Sequence, residues 1–206
     1  MSLWGDAHAA STNKPKFLPQ DENSDYNRAD CYATQAGWVM QAGHPSSGNS
    51  NTSATPEVLV ASGGLAGKDA SSGLRAPTVT AMRFVKGTTA TTDMTAADST
   101  ARIRVEVTWD EEVTVVGTPQ LVVVNGNQSS GGLGNYTLSY ISAGSTANRK
   151  LFEATSQSLG NTDVLTVGAA DIALNSGTLS DTVVGGTTLA ASRVVSGVTQ
   201  VHSVLS

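Results

Sequence analysis

A chain of 206 residues with a formal net charge of −5 has room for one large domain, or for one ordinary domain plus an appendage, and carries no electrostatic footprint for nucleic acid. Only 14% of its residues are charged and 5% aromatic, and Gly, Ser, Thr, Ala and Val dominate, a mixture that suits short strands joined by turns and disfavours helices. The one cysteine, Cys31, excludes an intrachain disulfide and a thiolate metal site, and no window approaches the roughly 18 apolar residues of a membrane-spanning helix.

The amino terminus, MSLWGDAHAASTNKPKF, has no basic region followed by an apolar core, so synthesis in the cytoplasm without a cleaved signal is expected, with a signal-independent secretion route left open. The first 75 residues differ from the rest. They hold five of the ten aromatic residues (Trp4, Phe17, Tyr26, Tyr32 and Trp38), then two Ser/Gly/Asn-rich runs at 42–56 and 61–74. Between these lie the short candidate strands CYATQAGWVM and EVLVA, too few to close a core. Residues 1–75 therefore read as an extended, poorly structured arm whose apolar side chains need an outside surface to bury against. Trp4, Phe17, Leu18, Tyr26, Tyr32 and Trp38 are its candidate partner-binding anchors. Cys31 reads as a small buried hydrophobe rather than a reactive thiol, since no cation stands closer in sequence than Arg28.

From residue 76 onward the pattern becomes short runs with period two. In ARIRVEVTW, Ile103, Val105, Val107 and Trp109 fall on one face and Arg102, Arg104, Glu106 and Thr108 on the other, which predicts a strand with one dry face. TVTAMRFV precedes it. Val113 to Val116, Leu121 to Val124, Tyr136 to Ser142, Leu151 to Thr155, Val164 to Val167 and the closing SRVVSGVTQVHSVLS follow, with glycine-bearing turns between. Seven or eight strands over about 130 residues predict an all-β fold, an antiparallel β-sandwich over 76–206. The acidic link Asp110-Glu111-Glu112 lies between two of these strands. Three carboxylates on one short link repel one another and gain by staying in water, so a solvated turn is expected rather than a cation site or a catalytic group. The spacing lacks the alternate ligands and the glycine of a calcium loop.

No catalytic, cofactor or metal site is predicted. His8, His44 and His202 fall in the arm, in a Gly/Pro/Ser loop and near the carboxy terminus, and read as surface histidines. The basic pairs Lys14/Lys16, Arg102/Arg104 and Arg149-Lys150 read as solvated positions. No nucleophile elbow, phosphate loop or zincin motif occurs, SSGGLGN is followed by no helical pattern, and the acids are too dispersed to suggest a glycosidase pair.

The succession ARIRVEVTWDEEVTVVGTPQLVV, NYTLSYISAGSTANRKLFEAT and DVLTVGAADIALNSGTLSDTVVGG resembles the Ig-like repeats of large bacterial surface proteins of the cyanobacterial swimming-protein type. The likeness covers about half of the chain, from Ala101 to about Gly186. Glu111 matches the family's glutamate, whereas Trp109 stands for its usual Phe, Asp110 for its Ser and Glu112 for a small residue or Pro. The resemblance implies an Ig-like sandwich used for display and adhesion, with no catalytic residues to carry over. The motifs MSLWG, KPKFL, CYATQAGWVM and PEVLVA resemble the beginnings of small virion structural proteins of T4-like phages of marine cyanobacteria.

Together these imply a non-enzymatic phage virion protein, a capsid decoration (cement) protein made in the host cytoplasm and placed on the outer capsid surface. Its arm (1–75) would dock on the major capsid protein or another virion lattice protein. The sandwich (76–206) would project, open to a host-surface glycan. Neither direct nucleic-acid binding nor membrane contact is expected, and sheet edges near the carboxy terminus are compatible with a homo-oligomer. A tail, baseplate or fibre-associated position, and a bacterial adhesion module binding carbohydrate, are the alternative placements.

Overall fold

A computed structural model of the protein describes Pro15 and residues 28–34, 36–44, 47, 49–61, 76–86, 94, 97–126, 134–181 and 188–204. The molecule is all-β. Its strands are β1 (Cys31–Thr34), β2 (Gly37–Met40), β3 (Glu57–Ala61), β4 (Val79–Phe84), β5 (Asp98–Trp109), β6 (Val113–Val116), β7 (Gln120–Asn125), β8 (Tyr136–Ile141), β9 (Arg149–Leu159), β10 (Val164–Val167), β11 (Thr178–Asp181) and β12 (Gln200–Ser203). Among the described residues no helix is long and apolar enough to cross a membrane.

The sandwich is built from a seven-stranded antiparallel sheet in the order β12-β10-β7-β8-β9-β5-β4 and a two-stranded sheet of β6 and β11. The large sheet curls until its terminal strands approach each other, with the rings of Phe84 on β4 and His202 on β12 at 5.6 Å. The predicted dry face of β5 is the spine of the core: Ile103, Val105, Val107 and Trp109 are all fully buried. They pack with Leu121, Leu138, Phe152 and Leu165 of the same sheet and with Val113 and Leu179 of the smaller one. Trp109 satisfies its one polar atom by donating its indole N–H to the Ser192 carbonyl at 3.0 Å, as a fully buried indole must.

Two glycines meet at the end of the β6–β11 ladder. Gly117 ends β6 at φ +77°, and a Cβ there would lie 2.9 Å from the Cα of Gly177, just before β11. Backbone meets backbone at this point, leaving no volume for a side chain.

Sequence and structure differ in several strands: CYATQAGWVM divides into β1 and β2, and of the closing run SRVVSGVTQVHSVLS only Gln200–Ser203 is strand. β11, in the Gly/Ser/Thr-rich GTLSD, carries one strongly apolar residue and forms through its pairing with β6, Leu179 opposite Val115. β9 runs from Arg149 to Leu159 rather than over five residues, because it pairs along β5 from Thr108 back to Asp98.

Within the stretch read as an arm, Cys31–Thr34, Gly37–Met40 and Glu57–Ala61 form a three-stranded antiparallel sheet, β1-β2-β3. Its small apolar cluster is Cys31, Ala33, Trp38 and Met40, with Leu59 and Val60 packed against it. Cys31 is a buried thiol, as the sequence predicts. One edge of this sheet does not face solvent: β1 forms a parallel bridge from Ala33 to Glu111, in the acidic link of the sandwich.

Candidate functional site

Whereas Asp163 is buried apart and accepts from Asn125 Nδ2 and the Gly160 N–H, most of the buried charged side chains of the described residues gather where the N-terminal sheet meets the sandwich. β5 carries the reason. Its outward residues Arg102 and Arg104 are partly exposed, as strand alternation predicts, but Glu106, Thr108 and Asp110 are buried. The outer face becomes dry toward the carboxy end of the strand because Asp30 reaches it through Arg149 and Ala33 is bonded to Asp110.

A chain of ion pairs runs through this junction. Asp30, in the 3-10 turn before β1, is 2.6 Å from His44 Nε2 and 3.1 Å from Arg149 Nη1 on β9. Arg149 lies 3.7 Å from Glu106 Oε1, and the same oxygen accepts from Arg83 Nε on β4 at 2.8 Å. Burial pushes the Asp30 carboxyl up, but the His44 hydrogen bond and the Arg149 charge outweigh it and hold the group below the usual carboxylate range. His44, predicted at the surface, is thus buried against Asp30. Arg149, predicted as solvated, is the cation shared by two buried carboxylates.

The acidic link is the second part of the junction and corrects the expectation of a solvated turn. Asp110 is 1% exposed and Glu111 4%. Asp110 is a staple. Its Oδ1 accepts the Thr78 N–H at 2.7 Å, its Oδ2 accepts the Thr78 hydroxyl, and its main-chain carbonyl accepts the Ala33 N–H at 2.8 Å. One residue thereby fixes the entry to β4 and the position of β1.

Glu111 solves its burial differently. Its Oε1 is buried without a hydrogen-bond partner, and burial, with the nearby charges of Asp110 and Asp181, pushes its carboxyl up to about 8. The group is therefore neutral at pH 7, which removes the repulsion that the sequence implied would be relieved by water. Burial also pushes the Asp181 carboxyl up, against the Leu189 N–H that it accepts at 2.7 Å.

Glu112 is half-buried, and its charge acts on two groups from different parts of the chain. Tyr32 on β1 donates its hydroxyl to Gln41 Oε1 at 3.3 Å, and its ionisation is pushed up by burial and then by Glu112. Lys150 on β9 is 7% exposed and donates to the Thr146 carbonyl at 2.6 Å. Burial pulls its ammonium down to about 8, with Glu112 acting the other way. The expectation that Lys150 is solvated is thus also corrected.

These groups hold two folded parts together. Lys150 is directed to a backbone carbonyl and Asp30 to Arg149 and the His44 ring, so neither is set against a nucleophile. Among the described residues no three His, Cys, Asp or Glu side chains stand close enough to hold a metal ion. Of the six expected anchors, Tyr32 and Trp38 are buried within the chain, at 1% and 3% exposure, where they build the junction and the small cluster. Neither presents its ring to solvent. Trp4, Phe17, Leu18 and Tyr26 lie outside the described residues, as does His8.

The residues that sequence reasoning missed, Asp30, His44, Glu106, Arg149 and Lys150, come from four separate parts of the chain, and no local spacing joins them. Comparison with protein-family models, with curated proteins and with solved structures finds no match to this chain.

Proposed function

We propose that this chain is a non-enzymatic structural protein of a phage virion, a capsid decoration protein that attaches to the assembled shell through its N-terminal region and carries the β-sandwich outward. The observation that supports this reading best is the two-part build. A small sheet with its own apolar cluster is joined to a larger sandwich by a buried polar junction, an arrangement suited to attachment by one part and display by the other. The order of motifs from Ala101 to about Gly186, similar to the display repeats of bacterial surface proteins, points the same way, as does the likeness of the first residues to small virion proteins. On a symmetric lattice, repetition turns modest contacts into high avidity.

The deciding experiment mixes the purified full chain with empty heads and with isolated tails and images both. Decoration of heads at regular positions is the expected result. Binding to tails alone would refute the capsid placement, and binding to neither, with retention on a bacterial surface glycan, would replace the virion reading by that of an adhesion module.

A further inference from the structure

We infer that the outer edge of β3 receives an extended segment of another protein as a fourth strand of the N-terminal sheet, the segment being an alternating apolar strand with a basic residue opposite Glu57. Among the described residues β3 ends the sheet order β1-β2-β3, and its ladder is made with β2 alone. Every other sheet edge of the described residues has at least one contact beyond its own ladder, although β4 and β12 meet through side chains only. β1 is bridged to the Asp110-Glu111 link, β4 and β12 turn toward each other across Phe84 and His202, β11 is bridged from Ser180 to Ala190, and β6 is tied at Val113 to the Ala147 carbonyl. An open edge presents unpaired N–H and C=O groups and so is a template for strand addition.

The side chains suit that use. Four of the five residues of EVLVA are apolar, no lysine guards the strand, and Val58 is 46% exposed. Pro56, which has no N–H, ends the edge on one side, and the register shift opposite Trp38/Val39 leaves Leu59 as a bulge within Glu57–Ala61, so the incoming strand must follow that bulge. Glu57 is the only ionisable group of β3, is exposed, and has no ion pair among the described residues, so a cation opposite it completes the match.

Size selects the occupant. Five residues at about 3.3 Å each present an edge of roughly 17 Å, which buries far less than the ~1,200 Å² of a stable interface between free proteins. A second free copy would not be held by this edge alone. A strand repeated on a lattice would be, through effective concentration. The lattice comes from the attachment reading above; the open edge and its charge do not depend on it.

The test uses the full chain and a capped heptapeptide of alternating valine and threonine carrying one lysine, followed by NMR and amide exchange. The expected result is slowed exchange at Glu57–Ala61 with peptide, at least tenfold weaker binding for Val58→Lys, and a switch of Glu57→Lys to the glutamate version of the peptide. Both substitutions fall on exposed positions, so the sandwich signals report that each variant is folded. Peptide protection elsewhere, or binding untouched by both variants, would overturn the inference, as would a wild-type dimer in sedimentation that Val58→Lys dissolves. Head binding that survives Val58→Lys would overturn the edge while keeping the attachment reading. Peptide binding at this edge without head binding would keep the edge and remove the lattice.

Discussion

Glu111 offers the sharpest quantitative test of the junction. Its carboxyl is pushed up from 4.5 to about 8, so the folded chain holds a proton that the unfolded chain releases. Below pH 4.5 both states are protonated and the residue costs nothing. As pH rises through this window the unfolded state gains by ionising, and stability falls by about 1.4 kcal/mol per pH unit until the folded carboxyl also ionises near 8. At pH 7 the accumulated loss is roughly 3 kcal/mol, a large share of the ~5–15 kcal/mol that holds a domain together. Glu111→Gln keeps the shape and removes the titration. Urea unfolding of both proteins at pH 4.5, 6, 7 and 8.5 is expected to give curves that nearly coincide at pH 4.5 and diverge in favour of the variant up to about pH 8, then run parallel. A constant offset across the series, or a variant less stable at pH 8.5, would show that Glu111 is ionised and partnered, and the account of the buried link would be wrong.

Lys150 should act in the opposite window. Its folded ammonium is pulled down to about 8 from 10.5, so its cost is present below pH 8 and is relieved as pH rises toward 10.5; Lys150→Met should be most favourable at pH 7, by about 2–3 kcal/mol, and lose that advantage by pH 10.5 in the same urea assay. Arg149→Met leaves Asp30 and Glu106 without their shared cation and should lower unfolding free energy by about 3–5 kcal/mol, with Tyr32 and Trp38 becoming accessible to fluorescence quenchers at lower urea than the rest of the chain. Trp38→Ala should cost about 3–5 kcal/mol, as for a core aromatic, in calorimetry; a loss under 1 kcal/mol would return it to the role of exposed anchor. Gly117→Ala should destabilise by at least ~1 kcal/mol, since φ +77° and the approach of Gly177 oppose a Cβ together.

What the sequence made legible was whatever depends on one strand at a time. The alternation of β5 assigns Ile103, Val105, Val107 and Trp109 to the core, and they are there. The same alternation assigns Glu106, Thr108 and Asp110 to solvent, and there it fails, because Asp30, through Arg149, and Ala33, bonded to Asp110, reach this face from far earlier in the chain. Period two says which residues share a face but not whether a distant segment will cover it. β11 escaped because its pairing supplies what its composition lacks. His44 escaped because a Gly/Pro/Ser context describes a loop without saying what the loop packs on. The candidate site is thus largely a product of long-range pairing: Asp30 with Arg149, Ala33 with Asp110, and Tyr32 with Glu112.

The Asp30–Arg149 pair also sets an order of events during synthesis. The ribosome releases the β1-β2-β3 sheet first, and the cation that Asp30 needs is encoded roughly 120 residues later, about 6–24 seconds at ordinary elongation speeds. Through that interval Tyr32 and Asp30 have no sandwich to rest on, so the nascent chain carries an uncovered polar and aromatic face that closes only when β9 is laid beside β5. A pause in translation before Arg149 would therefore lengthen the exposure of that face.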